Sequence, residues 1–267
     1  MRHILLTLYL VALASPATGQ DTIMVEMQTA DDARGWDAVG KLMMGDRGFC
    51  TGTLIAPDLV LTAAHCLFDK ETGEKMRVED IQFYAGWRNG RAVAYRSVRR
   101  AMAHPDYLYD GNATLDRVSF DLALLELNQP IRLPSLVPFE TGATPVEGEE
   151  VGVVSYAQDR SEVPSIQEVC KVLADRVETI VLSCSVDYGS SGAPVFAIKD
   201  GVARVVSVIS AKAEVKGQKV ALAVPLAAAL PELRTALAES EGAVKSGVVG
   251  VRILSGGQTG GAKFVKP

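Results

Sequence analysis

Short apolar segments separated by turn residues fill most of the chain between residues 41 and 224. They form two series, one ending near residue 127 and one beginning near residue 150. Short runs rich in β-branched residues are typical of strands, so two series predict two β units. The predicted strands are residues 49–55, 59–61, 81–85, 92–96 and 122–127, then 151–156, 180–182, 195–198, 203–209 and 219–224.

Other patterns mark the limits of these units. Residues 129–148 contain four prolines and little periodicity, which predicts a connecting segment. Apolar residues at helical spacing follow Pro225 and predict a C-terminal helix, ending near residue 237, that packs against the second unit. The glycine-rich residues 239–267 predict a flexible tail, in which residues 248–254 could add an edge strand.

The N-terminal residues have the pattern of a secretory signal peptide. Arg2 precedes an apolar run over residues 4–14, and small residues precede Gln20. We expect cleavage after Gly19, with Ala14 as the alternative, and a mature protein in the periplasm or outside the cell. No stretch is long and apolar enough to predict a membrane span. The predicted organisation is a signal peptide at residues 1–19, an N-terminal segment at 20–35, a first β unit at 36–128, a linker at 129–148, a second β unit with the helix at 149–238 and a tail at 239–267.

The charge pattern disfavours nucleic acid as a partner. The formal net charge is -5, and removal of the signal peptide with its Arg2 leaves -6. The cluster of Arg96, Arg99 and Arg100 is more typical of a solvated strand edge than of a phosphate-binding surface. We expect a monomer that binds no nucleic acid.

Four cysteines lie in the predicted exported part, where disulfides can form. Three pairings are possible. The pairing of Cys50 with Cys66 and Cys170 with Cys184 closes the shortest loops, each stabilising the fold by about 3 kcal/mol on the loop-entropy model. A zinc site is the competing interpretation, but the chain has no Cys-x-x-Cys pair, so we expect no metal.

A histidine and a serine stand out as candidates for acyl-transfer chemistry. His65 lies in residues 62–66 (TAAHC) directly after a predicted strand, and Ser191 lies in the glycine-flanked residues 189–194 (GSSGAP). A hydroxyl is a poor nucleophile without an adjacent base, and imidazole is the side chain best suited to that task. His104, in the proline-containing residues 103–107, is more typical of a structural histidine.

Asp121 is the best candidate for the acceptor that such a histidine needs on its far nitrogen. It begins residues 121–127 (DLALLEL), at the mouth of a strongly apolar predicted strand. The alternative interpretation is an aspartate that merely ends a turn.

The three segments containing His65, Asp121 and Ser191 resemble, in order and approximate spacing, those of trypsin-like serine proteases of the chymotrypsin fold. The resemblance covers about residues 36–237. It implies an all-β protein of two antiparallel six-stranded β-barrels, with the active site between them and a C-terminal helix. It also implies a disulfide between Cys50 and Cys66, behind the histidine.

The resemblance implies a role for each residue. Ser191 attacks the scissile carbonyl, His65 acts as general base and then general acid, and Asp121 orients His65. The backbone N–H groups of Gly189 and Ser191 form the oxyanion hole. The expected activity is that of a serine endopeptidase that hydrolyses peptide bonds of a polypeptide substrate and needs no cofactor.

Ser190 departs from the digestive and clotting branches of the family, in which an aspartate at this position pairs with a new N-terminal amine. The chain is more similar to the bacterial glutamyl-endopeptidase branch, and we expect no amine insertion. Ser185 matches the base of the specificity pocket, while Ser210 and Lys212 lie in the strand that binds substrate. Lys212 could narrow the pocket, favour an acidic side chain or point to solvent, and Ile209 occupies the place of the histidine that reads glutamate.

Two other functions compete with this one. In a protease-fold binding protein, the unusual residues 210–212 would block turnover. An esterase fits less well, because the Gly-x-Ser-x-Gly elbow is one residue out of frame and a strand is predicted where its helix should follow. Residues 112–114 (NAT) match a glycosylation triplet to which we assign no function.

Overall fold

The computed structural model describes residues 21–109, 115–176 and 178–246. The predicted signal peptide, the NAT triplet and the possible edge strand at residues 248–254 lie outside these ranges. The described residues form mainly strands, with two α-helices, α1 (Leu115–Ser119) and α2 (Leu226–Ser246). Neither helix within these ranges is long and apolar enough to cross a membrane.

Six antiparallel strands of the N-terminal half form a closed barrel in the order β2-β3-β4-β7-β6-β5. Apolar side chains that alternate along the strands fill its interior, among them the fully buried Leu42, Leu54, Phe83 and Leu124. The strands are β2 (Val39–Met44), β3 (Phe49–Ala56), β4 (Leu59–Thr62), β5 (Ile81–Ala85), β6 (Ala94–Ala103) and β7 (Ala123–Leu127).

The C-terminal half forms a second antiparallel sheet in the order β1-β9-β10-β13-β12-β11-β8. Because β8 also pairs with β9, six of its strands complete a ring. The strands are β1 (Val25–Glu26), β8 (Glu150–Ala157), β9 (Arg160–Arg176), β10 (Thr179–Leu182), β11 (Pro194–Lys199), β12 (Val202–Val215) and β13 (Gln218–Pro225). The predicted all-β fold class is confirmed, with the short strand β1 added to the predicted six strands of this unit.

The largest difference from the predicted strands is β9, which the hydrophobic pattern does not reveal. Charged and amide side chains interrupt this long segment, so it contains no continuous apolar run. Its stability comes from pairing with neighbours on both edges, β8 and β10, and its register shifts against each of them. Such irregular pairing breaks the simple alternation from which a strand is predicted.

The first strand and the last helix of the described residues each contact the opposite unit. Strand β1 near the N-terminus pairs with β9 of the second sheet. Helix α2 (Leu226–Ser246) follows β13 and contacts β12, but it also packs against β6 and β7 of the first barrel. Arg100 of β6 donates a hydrogen bond of 3.0 Å to the carbonyl oxygen of Leu237. The helix therefore extends beyond residue 237 into the segment where a flexible tail was expected, and it braces the opposite unit.

Both predicted disulfides are present. Cys50 of β3 bonds to Cys66, and Cys170 of β9 bonds to Cys184. All four cysteines are thereby used, and no free thiol is available as a metal ligand. The first bridge holds the 3₁₀ turn Ala64–Leu67 against the barrel, directly after β4.

The turn before β11 touches the first barrel at Gly192. This residue has a φ of +79°, and a Cβ there would lie 2.1 Å from Thr62 Oγ1 and 2.3 Å from the Thr51 carbonyl oxygen. A side chain at this position would collide with backbone that has no room to move. Glycine is therefore required here both for its backbone conformation and for the close approach of the two units.

Gly192→Ala should destabilise the protein much more than Gly201→Ala. Gly201 also has a positive φ, +76°, but no atom lies within 4 Å of a Cβ built there. Gly201→Ala should therefore lower the free energy of unfolding only by the left-handed strain, about 1–2 kcal/mol. Gly192→Ala adds a collision that costs a further ~1–3 kcal/mol. Guanidinium chloride unfolding measures both losses, and equal losses would contradict the steric account.

Candidate active site

His65 and Asp121 form a closely bonded pair in the first barrel. The 3₁₀ turn after β4 carries His65, and Asp121 lies just before β7, which pairs with β4. His65 Nδ1 lies 2.6 Å from Asp121 Oδ2, and the His65 backbone N–H donates to Asp121 Oδ1 at 2.7 Å. The pairing of β4 with β7 thus brings together two residues that are far apart in sequence.

The Asp121 carboxyl group is buried, with 1% of its side chain exposed. Burial alone would raise the pKa of Asp121, but the adjacent His65 imidazole and three donated hydrogen bonds hold it below its usual value. The third of these hydrogen bonds comes from Ser210 Oγ of β12, in the second sheet. The carboxylate is therefore ionised at neutral pH, and it keeps a proton on His65 Nδ1, which leaves Nε2 free to accept one.

Ser191 lies on the other side of the cleft from Asp121, in the turn before β11. It is half-buried, and it lines a cavity of about 440 Å³ together with His65. Ile209 and Ser210 of β12 line the same cavity. The structure therefore brings all three residues of the predicted triad to the junction of the two units.

The backbone N–H groups of the turn that carries Ser191 differ in whether they have a hydrogen-bond acceptor. The N–H groups of Ser190, Gly192 and Ala193 donate hydrogen bonds to backbone carbonyls. Those of Gly189 and Ser191 donate to no other described residue. Gly189 has a φ of +95°, and a Cβ there would lie 2.4 Å from the Phe49 ring. The turn thus leaves two N–H groups available, and only glycine fits its first position.

Ser190 points away from the cavity into the second unit and is fully buried. Its hydroxyl lies 3.3 Å from Ser155 Oγ and 3.3 Å from the carbonyl oxygen of Tyr156. Arg160 extends this network, because its Nη2 donates to Ser155 Oγ at 3.3 Å. The space behind the turn is therefore occupied by side chains of the second unit itself.

Lys212 and Asp187 form an ion pair beside the cavity, with Lys212 Nζ 2.8 Å from Asp187 Oδ1. The hydrogen bond from Lys212 lowers the pKa of Asp187, and the same bond raises the pKa of Lys212. The ammonium group also lies 3.8 Å from the centroid of the Tyr188 ring. Lys212 is therefore held by two neighbours at the edge of the cavity, while 45% of its side chain remains exposed.

Ser185 does not line the cavity that contains Ser191. It lines an adjoining cavity of about 360 Å³, and the two cavities share Val186, Asp187 and Lys212 as walls. Ser210 lines the first cavity, but its hydroxyl is engaged with Asp121. Of the three residues predicted to bind substrate, only Lys212 thus presents a side chain to both cavities.

His104 has a structural environment. Its ring stacks on Phe120 with centroids 5.0 Å apart, and its Nδ1 accepts a hydrogen bond of 3.3 Å from the Asp106 backbone. It is not among the described residues that line the cavity of His65.

Several residues at the cleft were not predicted from the sequence. Lys70, Tyr109 and Tyr188 line the cavity from loops, Arg117 lines it from helix α1, and no spacing relates the four residues to one another. Thr51 of β3 contacts the turn of Ser191 through hydrogen bonds that no local motif indicates.

Comparison with known proteins agrees with this geometry. A family model described as a trypsin-like peptidase domain matches residues 50–206, which is more than half of the chain. Serine protease 23 of Homo sapiens is 28% identical over 163 residues, covering 55% of this chain and 42% of the human protein. Glutamyl endopeptidase of Bacillus licheniformis is 24% identical over 150 residues, covering 56% of this chain and 45% of the bacterial protein. The chain thus spans less than half the length of these relatives.

A solved structure of a Glu endopeptidase in complex with MPD has a similar fold. It superposes with a TM-score of 0.66 at 18% sequence identity, covering 82% of this chain and 98% of that one. The predicted resemblance to trypsin-like serine proteases, including the glutamyl-endopeptidase branch, is confirmed. The chain belongs to the trypsin-like peptidase family.

Proposed function

We propose that this protein is an exported serine endopeptidase that cleaves polypeptides through an acyl-enzyme intermediate on Ser191. The observation that carries the proposal is the bond between His65 Nδ1 and the buried Asp121 carboxylate, next to a cavity shared by His65 and Ser191. Two disulfides support export, because such bonds persist mainly in oxidising compartments.

In the proposed reaction, Ser191 Oγ attacks the scissile carbonyl carbon while its proton passes to His65 Nε2. The tetrahedral intermediate then loses the amine, which receives that proton from His65. Water attacks the acyl-enzyme next, giving a proton to His65, and the acid leaves as the proton returns to Ser191 Oγ. Asp121 stabilises the imidazolium that forms twice in this cycle.

The oxyanion of each tetrahedral intermediate would be bound by the N–H groups of Gly189 and Ser191. These groups lack other acceptors among the described residues, and both belong to the turn that carries the nucleophile. Donors already oriented before the reaction lower the barrier without reorganising, and the loss of one such donor in a serine protease costs about 3–4 kcal/mol.

We further propose that the enzyme needs no N-terminal amine for activation. Ser190 is bonded to Ser155 and Tyr156, so the space behind the turn contains no unpaired carboxylate at this position. The N-terminal segment is paired elsewhere, since β1 forms hydrogen bonds with β9. These contacts support a turn that is ordered without an inserted amine.

Lys212 is proposed to set specificity by limiting the depth of the substrate pocket. It lies with Asp187 between the cavity of Ser191 and the adjoining cavity of Ser185. An acidic substrate side chain would have to compete with Asp187, which already neutralises the ammonium group at 2.8 Å. We therefore propose that Lys212 narrows the substrate pocket rather than attracting an acidic side chain. We expect substrates with a small side chain directly before the cleaved bond.

A fluorophosphonate tests the catalytic proposal directly. Ser191 Oγ should attack its phosphorus and displace fluoride, giving one adduct in the intact mass that maps to Ser191. The Ser191→Ala variant should give none. If the folded, disulfide-bonded wild-type protein forms no adduct, the endopeptidase proposal is wrong. The alternative of a protease-fold binding protein, whose cleft recognises a partner without cleaving it, would then be favoured.

A short Gly-Ser extension before Gln20 tests the mode of activation. Because no amine has to be buried, the extended protein should keep kcat/KM within about twofold of that of the protein beginning at Gln20. An extended Ser191→Ala protein serves as the control for contaminating proteases. Activity that appears only after the extension is removed would contradict the proposal.

Lys212→Ala should join the two cavities and admit larger side chains. We expect kcat/KM for peptides with Phe or Met before the cut to rise about tenfold relative to those with Ala, a change typical of a reshaped apolar pocket. Lys70→Ala removes another cation lining the cavity but leaves the ion pair intact, so it should not alter this ratio. A wild-type preference for Glu that is lost in Lys212→Ala would instead show that the ammonium group attracts an acid.

A further inference from the structure

Thr51 makes an unusual set of contacts across the junction of the two units. It lies in β3 beside the disulfide-bonded Cys50 and is fully buried. Its backbone N–H donates to the Ser191 carbonyl oxygen at 2.8 Å, and its Oγ1 donates to the Gly189 carbonyl oxygen at 2.9 Å. One residue of the first barrel thus binds two carbonyls of the turn that carries the nucleophile.

The remaining polar groups of Thr51 are also used. Its Oγ1 accepts a hydrogen bond of 3.1 Å from the Tyr156 backbone N–H. Its carbonyl oxygen accepts one of 2.8 Å from Thr62 Oγ1, in the strand that leads to His65. The hydroxyl therefore acts as donor and acceptor at once, which fixes its rotamer and leaves no freedom to bond elsewhere.

These contacts fix the peptide planes on both sides of the one that carries the Ser191 N–H. Thr51 holds the carbonyl of Gly189 and that of Ser191. The carbonyl of Ser190, which lies between them, accepts a hydrogen bond of 2.9 Å from the Ala193 N–H. The Ser190 carbonyl and the Ser191 N–H belong to one peptide group, so its orientation is fixed by this bond and by the held planes on either side.

We propose that the Thr51 hydroxyl is a positioning group for the oxyanion hole, supplied by the barrel that also carries His65. The inference rests on the proposed endopeptidase function and adds a residue to it. Thr51 touches no reacting atom. It holds the Gly189 carbonyl so that the N–H groups of Gly189 and Ser191 remain directed at the developing oxyanion, and its loss lets this turn rotate.

The test compares three variants with the wild-type protein. Thr51→Val keeps the shape but removes the hydroxyl, whereas Thr51→Ser keeps the hydroxyl. Thr53→Val is the matched control, because Thr53 is equally buried in the same strand. Its hydroxyl donates a hydrogen bond of 3.4 Å to the carbonyl oxygen of Ala38, away from the turn of Ser191. Steady-state hydrolysis of a peptide p-nitroanilide gives kcat and KM, and a peptide aldehyde reports binding of a tetrahedral adduct.

Thr51→Val should lower kcat about 30-fold with KM nearly unchanged, less than the loss of an oxyanion donor itself. Its affinity for the aldehyde should fall by a similar factor. Thr51→Ser should restore both values to within about threefold of the wild-type values, and Thr53→Val should not change them. A merely structural role would lower thermal stability without this selective effect on kcat and aldehyde binding.

Wild-type kcat and aldehyde affinity in Thr51→Val would overturn the inference, as would equal effects in Thr53→Val. If Thr51→Val does not fold, the same measurements on Thr51→Ala decide, and wild-type values there overturn it. A separate result tests the proposed function. A wild-type protein that neither hydrolyses peptides nor reacts with a fluorophosphonate would overturn the endopeptidase proposal and, with it, the inference about Thr51. Turnover by the wild type and by Thr51→Val alike overturns the inference alone.

Discussion

The buried charge of Asp121 is the constraint on which the rest of the cleft depends. An isolated carboxylate removed from water costs several kcal/mol unless it is paired and hydrogen-bonded. Here the compensation comes from both units, with the N–H and Nδ1 of His65 on one side and the Ser210 hydroxyl on the other. The charge is therefore stable only when the second sheet is docked on the first barrel.

Docking in turn needs small or shape-matched groups where the units meet. A side chain at position 192 would collide with Thr62, and a side chain at position 189 would collide with Phe49. The two units approach so closely that backbone of one unit bonds to backbone of the other, as between Thr51 and Ser191. The proposed chemistry and the closest approaches at any described glycine thus occur in the same place, so the turn of Ser191 should accept few residue types.

Local sequence predicted the parts of the site that depend on local geometry. The segments around His65 and Ser191 contain a strand end and a glycine-flanked turn, and the structure has both. The two disulfides were also predictable, because short loops favour their pairing. The resemblance to a family then supplied the roles of His65, Asp121 and Ser191 and the expectation that the active site lies between the two units.

Contacts made at long range could not be predicted in the same way. The bond of Ser210 to Asp121 joins residues of different units, and so does the bond of Thr51 to Gly189. Each depends on one rotamer that only the docked structure selects. The direction of Lys212 was left open for the same reason, since a long side chain on a strand can reach several partners until Asp187 is placed beside it.

The crossing of β1 and α2 to the opposite units has a consequence for the resistance of the molecule to proteolytic cleavage. Strand β1 pairs with the second sheet, and helix α2 packs against the first barrel. Each half of the molecule therefore contributes one element that is bound to the other half. A proteolytic cut in the exposed part of residues 129–148 would break the chain but would leave the contacts of β1 and α2 in place. The halves of a cleaved molecule would be held together by these contacts, so a cut at the linker would not by itself separate the two units.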